Sequence, residues 1–281
     1  MSLVHNGAQR ASRRPRSIPG LVMLGLAAAI AIGATAAHPA ATQAAGKKVV
    51  IVVGPAGSAT SKYRDIADGL ASQARSYGAT VYRLYSPYAT WTRVKSYSQG
   101  ANILIYLGHG NGWPSPYGPY QPYTKDGMGL NSSYGNGNSN VKYWGEYYIS
   151  RYINLAPHAV VILNHLCYAS GNNEWGQGYP TKSTAIKRVD NYGAGFLRAN
   201  AKAVFADGTA SVKYILYGLF KTNRSMLSIF YSSPSSEYRY RFSFTSVRTS
   251  WAKGVLDPDS PGHYYHSLIG SVYMTASTWR S

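Results

Sequence analysis

Cysteine is nearly missing from this chain, which has one, Cys167, in 281 residues. A single thiol cannot form an intramolecular disulfide, so the sequence excludes a small secreted fold held together by disulfides. Free cysteines are mostly small buried hydrophobic residues. Cys167, however, ends the run VVILNHLC, at the point where a predicted buried strand reaches the surface. This position is unusual for a cysteine that only fills space in the core.

Acidic residues are also scarce: 10 Asp and Glu stand against 28 Lys and Arg, which gives a formal net charge of +18. Such a charge favours anionic partners, among which we expect cell-wall polymers. The basic residues are scattered and no nucleic-acid motif stands among them, so we predict no nucleic-acid partner. The chain has 26 Tyr but 6 Phe, and its Tyr-rich stretch around Trp113, Tyr117, Tyr120 and Tyr123 is a candidate surface for sugar or peptide.

Two common enzyme motifs are missing as well. No Gly-x-Ser-x-Gly turn is present, which speaks against a serine hydrolase built on that turn. The glycines at 54–58 follow an apolar run but lack the lysine and the spacing of a phosphate-binding loop. We interpret that segment as a turn and predict no cofactor.

The first 45 residues have the pattern of a secretory signal peptide: a basic start, an apolar run from Leu21 to Ala37, and alanine-rich cleavage candidates. The run, about 17 residues, is marginal for a bilayer core of roughly 30 Å, and an uncleaved N-terminal anchor is the alternative. We predict a secreted protein, extracellular or associated with the cell wall, without stable membrane insertion after cleavage. Residues 46–281 are then one domain, with a looser pattern beyond about residue 207.

Apolar runs and helical patterns alternate along the first part of that domain. Short continuous apolar runs predict buried strands, and apolar residues three and four apart predict helices. The predicted strands are 48–53, 79–84, 101–107, 158–163 and 202–206. The predicted helices are 62–77, 91–97, 143–153 and 184–199. Farther on, the pattern predicts helices over 211–220 and 224–231 and a strand or an irregular edge over 238–247. Because parallel strands need such crossovers, we predict an α/β fold with a central, mainly parallel sheet and helices on both faces.

Two chemically useful side chains follow neighbouring runs of this pattern. His109 comes directly after the third predicted strand, Cys167 after the fourth, and a long polar loop follows each of them. Ligands bind outside the carboxyl ends of the strands in such sheets. A nearby histidine lowers the pKa of a thiol and can protonate a leaving amine, while glycines beside it let backbone N–H groups approach a developing oxyanion.

Other roles for these residues stay open at this point. Cys167 could be a buried hydrophobic residue, and His109 a turn histidine bonded to backbone. His165 lies two residues before Cys167, on the same face of an extended strand, and is therefore a rival partner for the thiol. Together with His109 and His158 it raises the possibility of a metal site, but the spacing matches no recognised zinc pattern, so we predict none.

The two strand ends resemble a known family. The segments ILIYLGHG (103–110) and VVILNHLCYASG (160–171) resemble the caspase-like cysteine peptidases of clan CD, with Gly-His-Gly nearest to the gingipain and CHAT-type domains. The loop DGMGL (126–130) and the helix-to-strand segment GFLRANAKAVF (195–205) are also similar to that group. The likeness extends roughly over residues 48–207.

The resemblance implies a caspase-like fold with three layers, αβα, and hydrolysis of peptide bonds through an acyl-enzyme. It assigns Cys167 as the nucleophile, His109 as the general acid and base, and the Gly110 amide to the oxyanion hole, with a peptide or protein as substrate. Asp207 and Glu174, near strand ends, are candidates for holding a basic side chain of the substrate, and Trp113 is a candidate contact.

The sequence also departs from the family pattern. The segment after the thiol, Tyr168 to Gly171, is one residue longer before its glycine than in many relatives, and Asn164 and His165 replace acidic or small residues. Many caspase-like domains have lost their activity. The alternative is therefore a catalytically inactive caspase-like module that binds cell-wall polymers or proteins through its basic, Tyr-rich surface.

Overall fold

A computed structural model describes residues 46–281 of the chain. The predicted signal peptide, residues 1–45, lies outside the described residues. Ten strands and seven helices are found between 46 and 281. The strands are β1 (Lys48–Val53), β2 (Thr80–Tyr85), β3 (Ile103–Leu107), β4 (Met128–Asn131), β5 (Val141–Trp144), β6 (Val160–Asn164), β7 (Ala203–Asp207), β8 (Phe242–Thr245), β9 (Lys253–Leu256) and β10 (His266–Gly270). The helices are α1 (Ala59–Ser76), α2 (Trp91–Ser98), α3 (Glu146–Tyr152), α4 (Lys182–Arg198), α5 (Lys213–Lys221), α6 (Met226–Phe230) and α7 (Ala276–Arg280).

Eight of the strands form one mixed sheet, in the order β2-β1-β3-β6-β7-β10-β9-β8. The five strands from β2 to β7 are parallel to one another. Each of β1, β3, β6 and β7 is a short apolar run buried along nearly its whole length, as expected for strands covered on both faces. The prediction of an α/β fold with a mainly parallel sheet is thus confirmed.

Side chains of the central strands alternate between two buried cores. On one face, Val50 and Val52 of β1 pack with residues of α2, α3 and α4. On the other face, Val49 and Ile51 pack with residues of α1, α5, α6 and α7. Since successive strand side chains point to opposite sides, this division places helices on both faces of the sheet, as the alternating pattern predicts.

The last three strands of the sheet are antiparallel to their neighbours. β10 pairs with β7 and β9, and β8 pairs with β9. The sequence pattern predicts a strand or an irregular edge over 238–247, where β8 lies, but it does not predict β9 and β10. Both are short; β9 contains Gly254, and β10 ends at Gly270. A Cβ on Gly254 would lie 2.0 Å from the Phe244 ring, so the missing side chain is what lets that ring cover the strand.

Strands β4 and β5 form a separate antiparallel hairpin. The helix predicted over 143–153 begins only at Glu146, because Tyr143 and Trp144 belong to β5. Gly145 separates the strand from the helix, and a Cβ there would lie 2.5 Å from the carbonyl oxygens of Lys125 and Pro122. The hairpin thereby closes against the segment that follows His109.

Within residues 46–281, no helix combines the length and the apolar character needed to cross a membrane.

Candidate active site

The carboxyl ends of β3 and β6 bring the segments that carry His109 and Cys167 together. These strands are parallel neighbours, and their last paired residues are Leu107 and Asn164. Three residues farther on along each chain, the backbones still touch: a Cβ on Gly110 would lie 2.0 Å from the Cys167 carbonyl oxygen. Only a glycine fits at residue 110, so the backbone after His109 runs directly against the backbone of Cys167.

The turn that carries Cys167 has an unusual backbone. His165 and Tyr168 have φ values of 60° and 70°, a left-handed conformation that few non-glycine residues adopt. Leu166 and Tyr168 point into the core, whereas Cys167 between them is only partly buried. Strained backbone of this kind persists where surrounding packing fixes it, and it is common at functional sites.

The pKa of the Cys167 thiol is raised to about 11. Burial is the main cause, and the nearby negative charge of Glu174 is the second. A hydrogen bond from the Trp175 backbone amide acts in the opposite direction. Since the thiolate is the nucleophilic form, the resting protein keeps its sulfur protonated at neutral pH. A reaction at Cys167 would therefore need the proton to be taken up, or the local charge to change, when a ligand binds.

His109 is held through its backbone and is exposed to solvent. The buried Tyr106 hydroxyl lies 2.9 Å from the carbonyl oxygens of His109 and Gly129, and it accepts a hydrogen bond of 2.9 Å from the Gly129 amide. Gly108 lies against the same ring: a Cβ built on Gly108 would lie 2.5 Å from the Tyr106 hydroxyl. Tyr106 thus ties the turn at His109 to the β4–β5 hairpin.

A cleft with a volume of about 660 Å³ opens beside these segments. Gly110 and Asn111 line it, and Tyr117 and Glu174 come from the loops that follow His109 and Cys167. His109 and Cys167 themselves lie next to this lining rather than in it. The Tyr117 hydroxyl donates a hydrogen bond of 2.8 Å to Glu174. The Gln177 amide donates to the same hydroxyl over 3.3 Å, so the two loops meet across the cleft.

Lys125 lines the cleft but is buried, with 4% of its surface exposed. Its ammonium donates to Asn111 Oδ1 at 2.8 Å, Ser115 Oγ at 3.0 Å and the Tyr117 carbonyl at 2.9 Å. Burial lowers the pKa of Lys125. All three donors of the ammonium are used to order the loop after His109, a role that no motif in the sequence indicates.

Trp113 and Asp126 support this loop from behind. The Trp113 amide donates to Asp126 Oδ1 at 2.9 Å, and its carbonyl accepts from Asn191 at 2.9 Å. Asp126 is fully buried, and burial raises the pKa of its carboxyl to about 7. The Trp113 backbone is therefore held in place by these two hydrogen bonds. Its half-buried ring lies with its centre 6.3 Å from that of Tyr120 and does not line the cleft, unlike the substrate contact that the sequence predicts.

Asp207 ends β7 and is 2% exposed. Its Oδ1 accepts hydrogen bonds from the amides of Thr209 and Ala210, at 3.0 and 2.6 Å. Burial raises the pKa of Asp207. Because these bonds close the turn after β7 and Asp207 does not line the cleft, the structure separates it from Glu174, the other acidic residue that sequence position indicated.

The His165 ring points toward α1, where it stacks on Tyr63 with ring centres 5.4 Å apart. It lines a different cavity, of about 300 Å³, together with Lys62 and Lys213. Burial lowers the pKa of His165. The left-handed backbone at His165 explains why its side chain does not lie on the same face as Cys167, as it would in a regular strand.

No group of three His, Cys, Asp or Glu residues able to hold a metal ion is found in residues 46–281.

Comparison of the chain with known family models, with curated protein sequences and with solved structures finds no match.

Proposed function

We propose that the protein is a secreted cysteine peptidase of the caspase-like type, with Cys167 as nucleophile and His109 as general acid and base. The observation that supports this proposal best is the contact between Gly110 and the Cys167 backbone, at the carboxyl ends of neighbouring parallel strands and beside a cleft. A nucleophile, a proton carrier and backbone amides then come from one rigid edge of the sheet.

In the proposed reaction, a peptide lies in the cleft and presents its carbonyl carbon to the sulfur. His109 takes the proton of the thiol as the sulfur attacks, and the Gly110 amide donates a hydrogen bond to the oxyanion. The imidazolium then gives its proton to the leaving amine, which departs as the C–N bond breaks. Water, deprotonated by His109, cleaves the thioester and restores the thiol.

Hydrolysis of a fluorogenic peptide library and labelling by acyloxymethyl ketones test this proposal. We expect both in the wild type, no hydrolysis or labelling in Cys167→Ala, and at least a 100-fold slower reaction in His109→Ala, since general acid–base catalysis contributes about 10²–10⁴-fold. His165→Ala is the matched control and should keep most of the activity, because its ring faces another cavity. Equal activity in His109→Ala and the wild type would contradict the proposed dyad.

The second candidate is an inactive module that binds anionic cell-wall polymer, and a cluster at the end of β2 favours it. The exposed rings of Tyr88 and Tyr134 lie 4.6 Å apart, and Arg93 packs over Tyr134 at 5.7 Å. The same cleft, of about 600 Å³, is lined by Arg64 and Arg83 but also by Asp65 and Asp68, and Arg83 is paired with Asp68 at 2.8 Å. Arg64 and Arg93 are therefore the cations that carry this candidate. Exposed aromatic rings next to guanidinium groups suit a sugar ring that carries a negative charge.

Binding of polygalacturonate, with neutral dextran as the comparison, tests this second candidate. We expect at least a tenfold loss of affinity in the double variant Tyr134→Ala and Arg93→Gln. The control Tyr217→Ala with Lys221→Gln removes an aromatic residue and a charge from α5, so a similar loss there would mean that only the net charge matters.

A further inference from the structure

The eight-stranded sheet ends at β8, which pairs with β9 and with no other strand among the described residues. The Ser246 amide, one residue beyond β8, donates to the Ala252 carbonyl at 3.0 Å. Because the backbone groups of successive residues point to alternate sides of an antiparallel strand, the N–H and C=O groups of Ser243 and Thr245 point away from β9. No hydrogen bond to these groups is found within residues 46–281, so β8 presents an unpaired edge.

A groove with a volume of about 540 Å³ lies between α4 and the end of β8. Ile186 lines it on the side of the helix, and Thr245 and Val247 line it on the side of the strand. The lining is largely apolar, and Val247 is 91% exposed, so an apolar side chain is left uncovered at the groove. An unpaired edge can take up an extended peptide as an additional strand, and a neighbouring pocket then selects its side chains.

Two lysines of α4, Lys182 and Lys187, line the same groove and are exposed. The Lys182 ammonium lies 4.2 Å from the centre of the Phe242 ring, at the start of β8. Neither lysine forms an ion pair within residues 46–281. The first turn of α4 contains no acidic residue, so the positive end of the helix dipole adds to the charge of the lysines.

The groove also contains a carboxylate, Asp190. Its Oδ1 accepts a hydrogen bond from the Ser246 hydroxyl, and its Oδ2 accepts one of 2.9 Å from the Val247 amide. Asp190 is 3% exposed. Its oxygens are therefore used to hold the segment after β8, whereas the two lysines remain open to a ligand.

We propose that β8 and the groove beside it bind an acidic segment of another protein in extended conformation. The segment adds a strand to the sheet through the backbone of Ser243 and Thr245, and it places an apolar side chain against Ile186 and Val247. Its carboxylates pair with the two lysines of α4. Because β7, β10 and β9 lie between β6 and β8, this surface is separate from Cys167 and does not depend on the proposed peptidase activity.

Fluorescence anisotropy of a labelled peptide, Thr-Glu-Thr-Ile-Thr-Glu-Thr, tests the proposal at constant ionic strength. The protein carries Cys167→Ala, so that the peptide stays intact. We expect saturable binding, and binding about tenfold weaker or less when both Glu residues of the peptide are replaced by Lys. Amide hydrogen exchange of Ser243 and Thr245 should slow down with the acidic peptide bound, because their outward N–H groups then enter a ladder.

Two variants separate the contribution of the backbone from that of the charge. Thr245→Pro removes an N–H group that the fold does not use, at an edge position where proline is tolerated. It should weaken binding about tenfold or more, since a hydrogen bond is lost and the ring blocks the approach of the peptide. Lys182→Gln with Lys187→Gln should cause a similar loss. Lys213→Gln with Lys221→Gln removes two exposed charges from α5 and should bind as the parent does.

Equal affinity in Thr245→Pro and the parent protein would overturn the proposal, because the peptide would then be held by charge alone. An equal loss in the two lysine pairs would do the same. Sedimentation that shows a dimer, lost in Thr245→Pro, would assign the edge to a second copy of the chain and also overturn it. Thermal unfolding of each variant, followed by circular dichroism, identifies a loss of binding that comes from loss of the fold; exchange at Ser243 and Thr245 in the parent then decides the result.

Discussion

Gly110 is the residue at which the fold and the candidate chemistry depend on the same atoms. A side chain at this position would collide with backbone, 2.0 Å from the Cys167 carbonyl oxygen, and backbone cannot rotate away as a side chain can. Its amide is also the group that the proposed mechanism places at the oxyanion. A glycine here therefore serves two needs, close approach of two chains and access to a backbone donor.

Gly110→Ala should lower the free energy of unfolding by about 2–4 kcal/mol, because the strand ends must separate to accept the methyl group. Reactivity at Cys167 should fall with it. Gly178→Ala is the control: no atom lies within 4 Å of a Cβ at that position. Chemical denaturation of both variants measures the difference, and equal stabilities would show that the two segments are not in contact.

Asp126 gives a pH dependence of stability that can be isolated. Burial raises the pKa of its carboxyl to about 7 in the folded protein, against about 3.9 in an unfolded chain. The folded state therefore binds the proton more tightly, and the stability that this gives is present in full below about pH 4 and is lost as the pH rises through 7.

Between pH 4 and 8, the wild type should lose several kcal/mol of unfolding free energy relative to Asp126→Asn, which cannot ionise. The amide oxygen of the asparagine can still accept the hydrogen bond from Trp113. Denaturation curves of the two proteins at matched pH values measure the difference, which would be constant with pH if Asp126 titrated as an exposed carboxylate.

At the scale of elements, the long loop between β3 and β4 is ordered by one buried ammonium. Lys125 donates to Asn111, Ser115 and Tyr117, and Asn111 and Tyr117 line the same cleft as Glu174. No helix or strand fixes residues 111–127. The loop therefore owes its shape to side-chain hydrogen bonds, which are individually modest but charge-assisted here.

Lys125→Met keeps the length of the side chain and removes its three hydrogen bonds. We expect amide hydrogen exchange in residues 111–124 to become at least tenfold faster, with little change in β1 or β6. Lys142→Met is the control, since Lys142 is exposed and its ammonium lies over the Trp144 ring. Unchanged exchange in Lys125→Met would show that the loop is ordered by something else.

The sequence predicts the elements unevenly, for physical reasons. The strands β1, β3, β6 and β7 are continuous buried apolar runs, which are hard to interpret otherwise. The helix predicted over 143–153 includes the last two residues of β5, because Tyr143 and Trp144 continue the aromatic pattern of α3. Short strands such as β9 carry too few residues to show a period. The end of a strand is predictable, but the direction of a side chain beyond it is not: the left-handed backbone at His165 turns that ring away from Cys167.

At the scale of the whole molecule, the chain beyond residue 207 completes the sheet that carries the candidate site. β10 pairs with β7 along its full length, and β7 is the neighbour of β6, whose end leads to Cys167. The final helix, α7, buries Trp279 to 1% exposure against the core on the face opposite α4. Its indole donates to the Asn102 carbonyl at 3.3 Å, just before β3, whose end leads to His109.

The end of the chain should therefore matter for stability although it is remote from the cleft in sequence. Trp279→Ala should cost about 3–5 kcal/mol, the usual effect of truncating a buried aromatic side chain, and should lower the midpoint of thermal unfolding accordingly. Trp251→Ala is the matched control, because Trp251 is 47% exposed. If both variants unfolded at the same temperature as the wild type, α7 would not be part of the core, and the sheet whose strand ends lead to His109 and Cys167 would have to be stabilised without it.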